Sequence, residues 1–276
     1  MPPPPSCVGL PCLAFNRDKC SDAPILFSLW ERTAVPTWAT PQGWFLVRHH
    51  AQIQMATFLW NPSNGDKIQL PPLQHDAPRM SPVMWYCHVG GGGDGSCWTR
   101  HEYDIGTQML DAHNTEKLVI TPVASCQGKI YFTNSFEELG VIDFCPEPVF
   151  SSIAMREVVT GGYGIAHKAK VLMVESEEQL HMVILLFDGS YSDLIYEVSV
   201  YRMDFSAQQW RRLHDLGGRA FLVAFGNFCA SCPADECGLE RDCVYIPYPW
   251  EQSLFIYNVR ERTMKEKKLE QAPESM

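Results

Sequence analysis

Three features of the sequence predict an all-β, β-propeller-like fold of about five or six blades of antiparallel strands. Short apolar runs rich in Val, Ile, Tyr, Phe and Trp alternate with Gly and Pro. Sustained helical periodicity is missing. One unit recurs along the chain: an apolar strand, then Asn or Asp, then a polar turn, then a second strand.

The apolar runs place strands at Gly43–Val47, Thr57–Trp60, Lys129–Thr133, Leu139–Phe144, Val171–Glu175, His181–Phe187, Glu197–Met203, Val244–Ile246 and Leu254–Val259. Ser135–Glu138 and Ser206–Gln209 are the best helical candidates, and both are short enough to be turns inside hairpins. The recurring unit is clearest from Leu59 to Ile68, where Asn64-Gly65 suits a tight hairpin turn. It returns at Met203-Asp204 before Trp210, at Tyr257-Asn258 before Thr263, and at Ile142-Asp143, with weaker copies at Glu31 and Asp104. An Asn or Asp side chain at the start of a turn can accept a hydrogen bond from a backbone amide two residues on, which gives the unit a local mechanism.

The copies straddle the roughly 40 to 50 residues of one propeller blade, but unevenly, so an incomplete propeller is allowed. The two widest gaps hold Gly161-Gly162-Tyr163-Gly164 and a Cys-rich stretch, both expected to be inserted loops. The expected organisation is a disordered Pro-rich start at 1–9, a propeller domain at 10–264 and a charged flexible tail at 265–276.

Composition narrows the function. Hydrophobic residues make up 46% of the 276 and charged residues 20%, a globular balance. A net charge of -10 opposes a phosphate-binding surface, so nucleic acid is not expected as a partner. The run Met182–Phe187 is far short of the roughly 20 apolar residues of a membrane-spanning helix. The amino terminus lacks the basic and apolar regions of a signal peptide, and the eleven cysteines are an odd number. Reduced thiols in the cytoplasm or nucleus are the expectation.

Several segments, in order, resemble the plant F-box-associated, KIB-type β-propeller family. They are Leu10–Phe15; Trp60-Asn61-Pro62 through Leu70-Pro71-Pro72-Leu73; Cys97–Arg100; Gly128–Phe132; Val200–Phe205 with Trp210 and Asp215–Phe221; and Cys243-Val244-Tyr245. The resemblance implies a propeller that presents a protein substrate, joined in most members to an amino-terminal F-box that docks on a Skp-type adaptor of a ubiquitin ligase. Pro2 to Pro5 oppose helix formation before Leu10, so no F-box is expected here, which counts against a Skp-type adaptor as partner.

Candidate chemistry is sparse. Cys229, Cys232, Cys237 and Cys243 could close a tetrahedral zinc site, but their spacing departs from paired Cys-x-x-Cys knuckles; free thiols in a loop are the favoured reading and zinc the alternative. Gly90–Gly93 lacks the Lys-Ser or Lys-Thr of a phosphate cradle. His49 and His50 would point to opposite faces of a strand, and His75, His88 and His101 stand alone. No catalytic motif and no cofactor is expected, and the function expected is non-enzymatic binding of an unidentified protein partner. The alternative is a propeller hydrolase or lyase with a site in its central channel. Trp38, Trp85, Tyr191, Tyr248 and Trp250 are the expected loop aromatics for recognition.

Overall fold

A computed structural model describes residues 12–15, 25–28, 33–39, 45–50, 55–60, 65–70, 82–87, 98–109, 114–133, 135, 137–144, 147–156, 168–188, 194–224, 229–248 and 253–268. Every regular element among them is a strand. The chain divides into two compact units, Met1–Ile120 and Thr121–Met276.

In the first unit, strands β2 (Ile25–Ser28), β3 (Thr33–Ala39), β4 (Phe45–His50), β5 (Met55–Trp60) and β6 (Lys67–Leu70) form a five-stranded antiparallel meander. Gly65 has φ 77°, the left-handed conformation that the Asn64-Gly65 pair anticipates. Strand β1 (Cys12–Phe15) pairs not with the strands that follow it in sequence but with β7 (Val83–Cys87), which pairs in turn with β8 (Thr99–Glu102). The first strand thus has a partner that no local pattern announces. A hairpin of β9 (Thr107–Met109) and β10 (Thr115–Lys117) follows.

Among the described residues the second unit holds three sheets. Strands β11 (Val123–Cys126), β12 (Lys129–Thr133), β13 (Glu138–Phe144) and β14 (Pro148–Ala154) make one four-stranded antiparallel meander. Strands β15 (Lys168–Ser176), β16 (Gln179–Phe187), β17 (Ile195–Asp204) and β18 (Gln209–Arg212) make the next. The third contains β19 (Arg219–Val223), β20 (Cys229–Pro233), β21 (Cys243–Tyr248), β22 (Ser253–Asn258) and β23 (Thr263–Lys268), in the spatial order β20-β19-β21-β22-β23. The leading strands β11, β15 and β20 lie side by side in that order, so the sheets stack as successive propeller blades.

Period-two alternation builds the core between blades. On β16 the even positions Leu180, Met182, Ile184 and Leu186 face one way, and Val183, Leu185 and Phe187 the other. Leu180 joins Met173, Tyr131, Leu139 and Val141 between the first and second blades, and Val183 joins Leu172, Phe221, Val223, Val244 and Ile246 between the second and third. A side chain buried this fully contributes about 1.5–3 kcal/mol. Both faces of β16 are therefore core, which is why its sequence is a continuous apolar run.

The Cys-rich segment departs from expectation. Cys229–Pro233 is a strand, not an inserted loop, and occupies the leading position of its blade. It pairs antiparallel with β19, whose other edge pairs parallel with β21. Its Cys, Ala and Ser side chains are small, as the crowded inner position of a blade requires. Strand β23 carries the paired sheet to Lys268, which pairs with Ser253, and the Ser253 hydroxyl donates to Glu266 at 2.6 Å. Gly161–Gly164 lies outside the described residues.

Candidate functional site

Two copies of the recurring Asn/Asp unit, at Asp204 and Asn258, mark the turn before the outermost strand of a blade. Asp204 opens the β17–β18 turn, where its Oδ1 accepts from the amides of Ser206 (3.1 Å) and Ala207 (3.0 Å) and from the Ser206 hydroxyl (2.7 Å). Asn258 Oδ1 accepts from Glu261 N at 2.9 Å in the β22–β23 turn. Asp104 Oδ1 accepts from Gly106 N at 3.0 Å after β8. Asp143 departs by pairing across its hairpin with Lys129 at 2.9 Å. In the β15–β18 meander the Asp204 turn forms at the same end as the β15–β16 turn, because its consecutive strands reverse direction.

At that end three blades are tied together. The β11–β12 turn is Gln127-Gly128 and the β15–β16 turn is Glu177-Glu178, all four residues having positive φ. Two consecutive glutamates in the left-handed region are uncommon, and such strain persists where surrounding contacts hold it. Glu178 O accepts from the Gln127 side-chain amide at 3.0 Å and from Cys126 Sγ at 3.2 Å, and Glu178 N donates to Glu175 Oε1 at 2.8 Å. Glu177 binds Arg219 of β19 at 3.0 Å, and Arg219 Nε donates to Ser231 Oγ of β20 at 2.8 Å. Ser231 also meets Ser176 at 2.8 Å. Hydrogen bonds thus run from the first blade through the second to the third.

A groove of about 220 Å³ opens on this face, lined by Gln127, Glu178, Gln179, Arg202, Met203, Asp204 and Phe205. Arg202 Nη1 donates to Gln179 Oε1 at 3.4 Å. The Asp204 carboxyl is held down at about 2 by its Ser206 and Ala207 donors, with Arg211 adding to the effect. It is a committed acceptor, unsuited to taking a proton near neutral pH. On the neighbouring strand position the buried imidazole of His181 packs edge-on to Phe221 of β19, with ring centres 5.2 Å apart. Burial, reinforced by the charges of Arg202 and Arg219, lowers its pKa to about 4. His181 is a neutral core residue here.

The four cysteines considered as zinc ligands do not face one point. Cys229 lies in the core between the second and third blades, where burial pushes its pKa up to about 12. Cys232 and Cys243 are on the opposite face, flanking Ala220 from the two neighbouring strands. They are two strand spacings apart, roughly 10 Å. Cys237 follows in an exposed turn. Among the described residues no group of three or more His, Cys, Asp or Glu side chains is placed to hold a metal ion.

Of the other candidates, His49 and His50 fall on β4 and His101 on β8. His75, His88, Gly90–Gly93, Tyr191 and Trp250 lie outside the described residues. Trp38, Trp85 and Tyr248 are in strands β3, β7 and β21 rather than in loops. No helix among the described residues is long and apolar enough to cross a membrane.

Gln127, Glu177, Glu178 and Ser231, which tie the turn face together, were not singled out from the sequence. One signal was present: Ala124-Ser125-Cys126 and Ala230-Ser231-Cys232 repeat the same tripeptide, each on the leading strand of a blade. A family model described as the KIB1-4 β-propeller matches residues 23–258. No curated protein matches the chain.

Proposed function

The chain belongs to the KIB1-4 β-propeller family, and on that premise we propose that it is a non-enzymatic recognition module whose turn face binds a protein partner. The reading takes its direction from the substrate-recognition part of F-box proteins. The observation that carries it is the hydrogen-bonded network from Gln127 through Glu178 and Glu177 to Arg219 and Ser231, which pre-organises a polar surface across three blades. A surface already held in place loses little entropy on association. Arg202, Arg211 and the Glu177-Glu178 pair supply charged groups for specificity, and the acidic balance of the whole chain favours a basic partner surface. The groove chemistry suits contact better than turnover, since its Asp204 carboxylate is saturated with donors.

Affinity capture with the full chain, followed by binding measurements on the recovered protein, tests this reading. A partner should bind the wild type and lose at least about tenfold in affinity for the double variant Glu178→Lys, Arg202→Glu. Equal affinity for both proteins would move recognition off this face, and the absence of any directly binding protein would reject the function.

A further inference from the structure

We propose that Cys232 and Cys237 are a modification site, a dithiol that a peroxide converts to an intramolecular disulfide. The two sulfurs are hydrogen-bonded to each other, Cys232 being half-buried at the end of β20 and Cys237 exposed. The backbone between them closes in a turn at the end of β20. Cys237 N donates to Pro233 O at 3.3 Å, Gly238 N to Asp235 O at 3.4 Å, and Leu239 N to Ala234 O at 2.9 Å. The Asp235–Arg241 ion pair spans the same turn.

Other cysteines of the third blade are differently placed. Cys229 is buried in the core on the opposite face, and Cys243 is buried with its thiol donating to Arg241 O at 3.3 Å. A peroxide therefore meets Cys237 first. The Cys237 thiolate attacks one peroxide oxygen, the O–O bond breaks, and a sulfenic acid forms with release of water or alcohol. The Cys232 sulfur then attacks the sulfenic sulfur, its proton leaves with the hydroxyl as water, and the S–S bond closes. Two thiols have lost two electrons and two protons to the peroxide. Burial, and then the hydrogen bond with Cys237, push the Cys232 pKa up to about 11, so Cys232 remains a thiol until the sulfenic acid reaches it. The bond would fasten the end of β20 beside Ser231, a member of the turn-face network.

The test treats the reduced full chain with hydrogen peroxide, alkylates the remaining thiols after denaturation, and cleaves after Glu236, which lies between the two cysteines. The expected result is a peptide pair joined through Cys232 and Cys237, loss of both thiols together, recovery with dithiothreitol, and thiols retained at Cys229 and Cys243. In the variant Cys232→Ser, dimedone should trap a sulfenic acid on Cys237. Wild-type protein that accumulates sulfinic acid at Cys237 without the joined pair, or that joins Cys237 to another cysteine, overturns the proposal. The wild-type result decides the matter even if the variant fails to fold.

Discussion

Asp242 shows how much one carboxylate can organise. Its Oδ1 accepts from Leu216 N and Gly218 N, each at 2.9 Å, while its own backbone bonds to Arg219 and Val259. Gly217 and Gly218 have φ 66° and 79°, so the Leu216-Gly217-Gly218 segment can turn its amides toward this acceptor without Cβ strain. The segment is part of the Asp215–Phe221 stretch that carried the family resemblance, and its structural reason is this anchor. Asp242→Ala should destabilise the protein by about 2–4 kcal/mol in chemical denaturation, by orphaning two amides and placing Ala at φ 59°. Asp242→Asn keeps an acceptor and tolerates that φ, so it should cost less than half as much. Equal losses in the two variants would contradict the anchoring role. His181 supplies a pH-dependent counterpart. Its pKa is about 4 when folded against an ordinary 6.5 when unfolded, so between those values the unfolded chain binds the extra proton. Stability should therefore fall as pH drops from 6.5 toward 4. At pH 5 this one group removes roughly 2 kcal/mol, and His181→Gln should lose correspondingly less stability between pH 7 and pH 5. Parallel pH profiles for the two proteins would exclude His181 as the source.

Strands carry a second kind of constraint, visible where Gly140 of β13 sits opposite Phe132 of β12. The Phe132 ring covers the glycine, and a Cβ built there would lie within 2.5 Å of three of its carbons. Gly140→Ala should cost about 1–3 kcal/mol through overpacking. Trimming the ring in Gly140→Ala, Phe132→Leu should make the double variant more stable than the sum of the single losses; strict additivity in denaturation midpoints would show that the ring is not the obstacle. The same elements show which parts of the sequence were readable. The expected strand at Lys129–Thr133 coincides with β12, and the strand around His181–Phe187 is the centre of β16, because long runs of branched and aromatic residues have no other compact use in this chain. Strand β20 was hidden because Cys, Ala and Ser at its inner position give no hydrophobic alternation. The parallel pairing of β19 with β21 was hidden because it joins segments separated by an intervening strand. The turn-capping role of Asp204, Asn258 and Asp104 was legible, being local. The Arg219–Glu177 and Ser176–Ser231 contacts were not, since each joins different blades.

Across the molecule, the family match and the stacked sheets of Thr121–Met276 fix a propeller framework, and that framework sets turns distant in sequence on one surface. On the proposed reading, stability and recognition draw on different residues: the apolar faces of β16 and its neighbours hold the blades, while Gln127, Glu177, Glu178, Arg202 and Asp204 remain at the turn end. Such a division lets the surface vary while the core holds the fold. Hydrogen exchange of the full chain, with and without a captured partner, tests the recognition reading most directly. Binding should slow amide exchange in the β11–β12, β15–β16 and β17–β18 turns and leave the already protected amides of β16 unchanged. Unaltered exchange in all three turns, with protection appearing elsewhere, would contradict it.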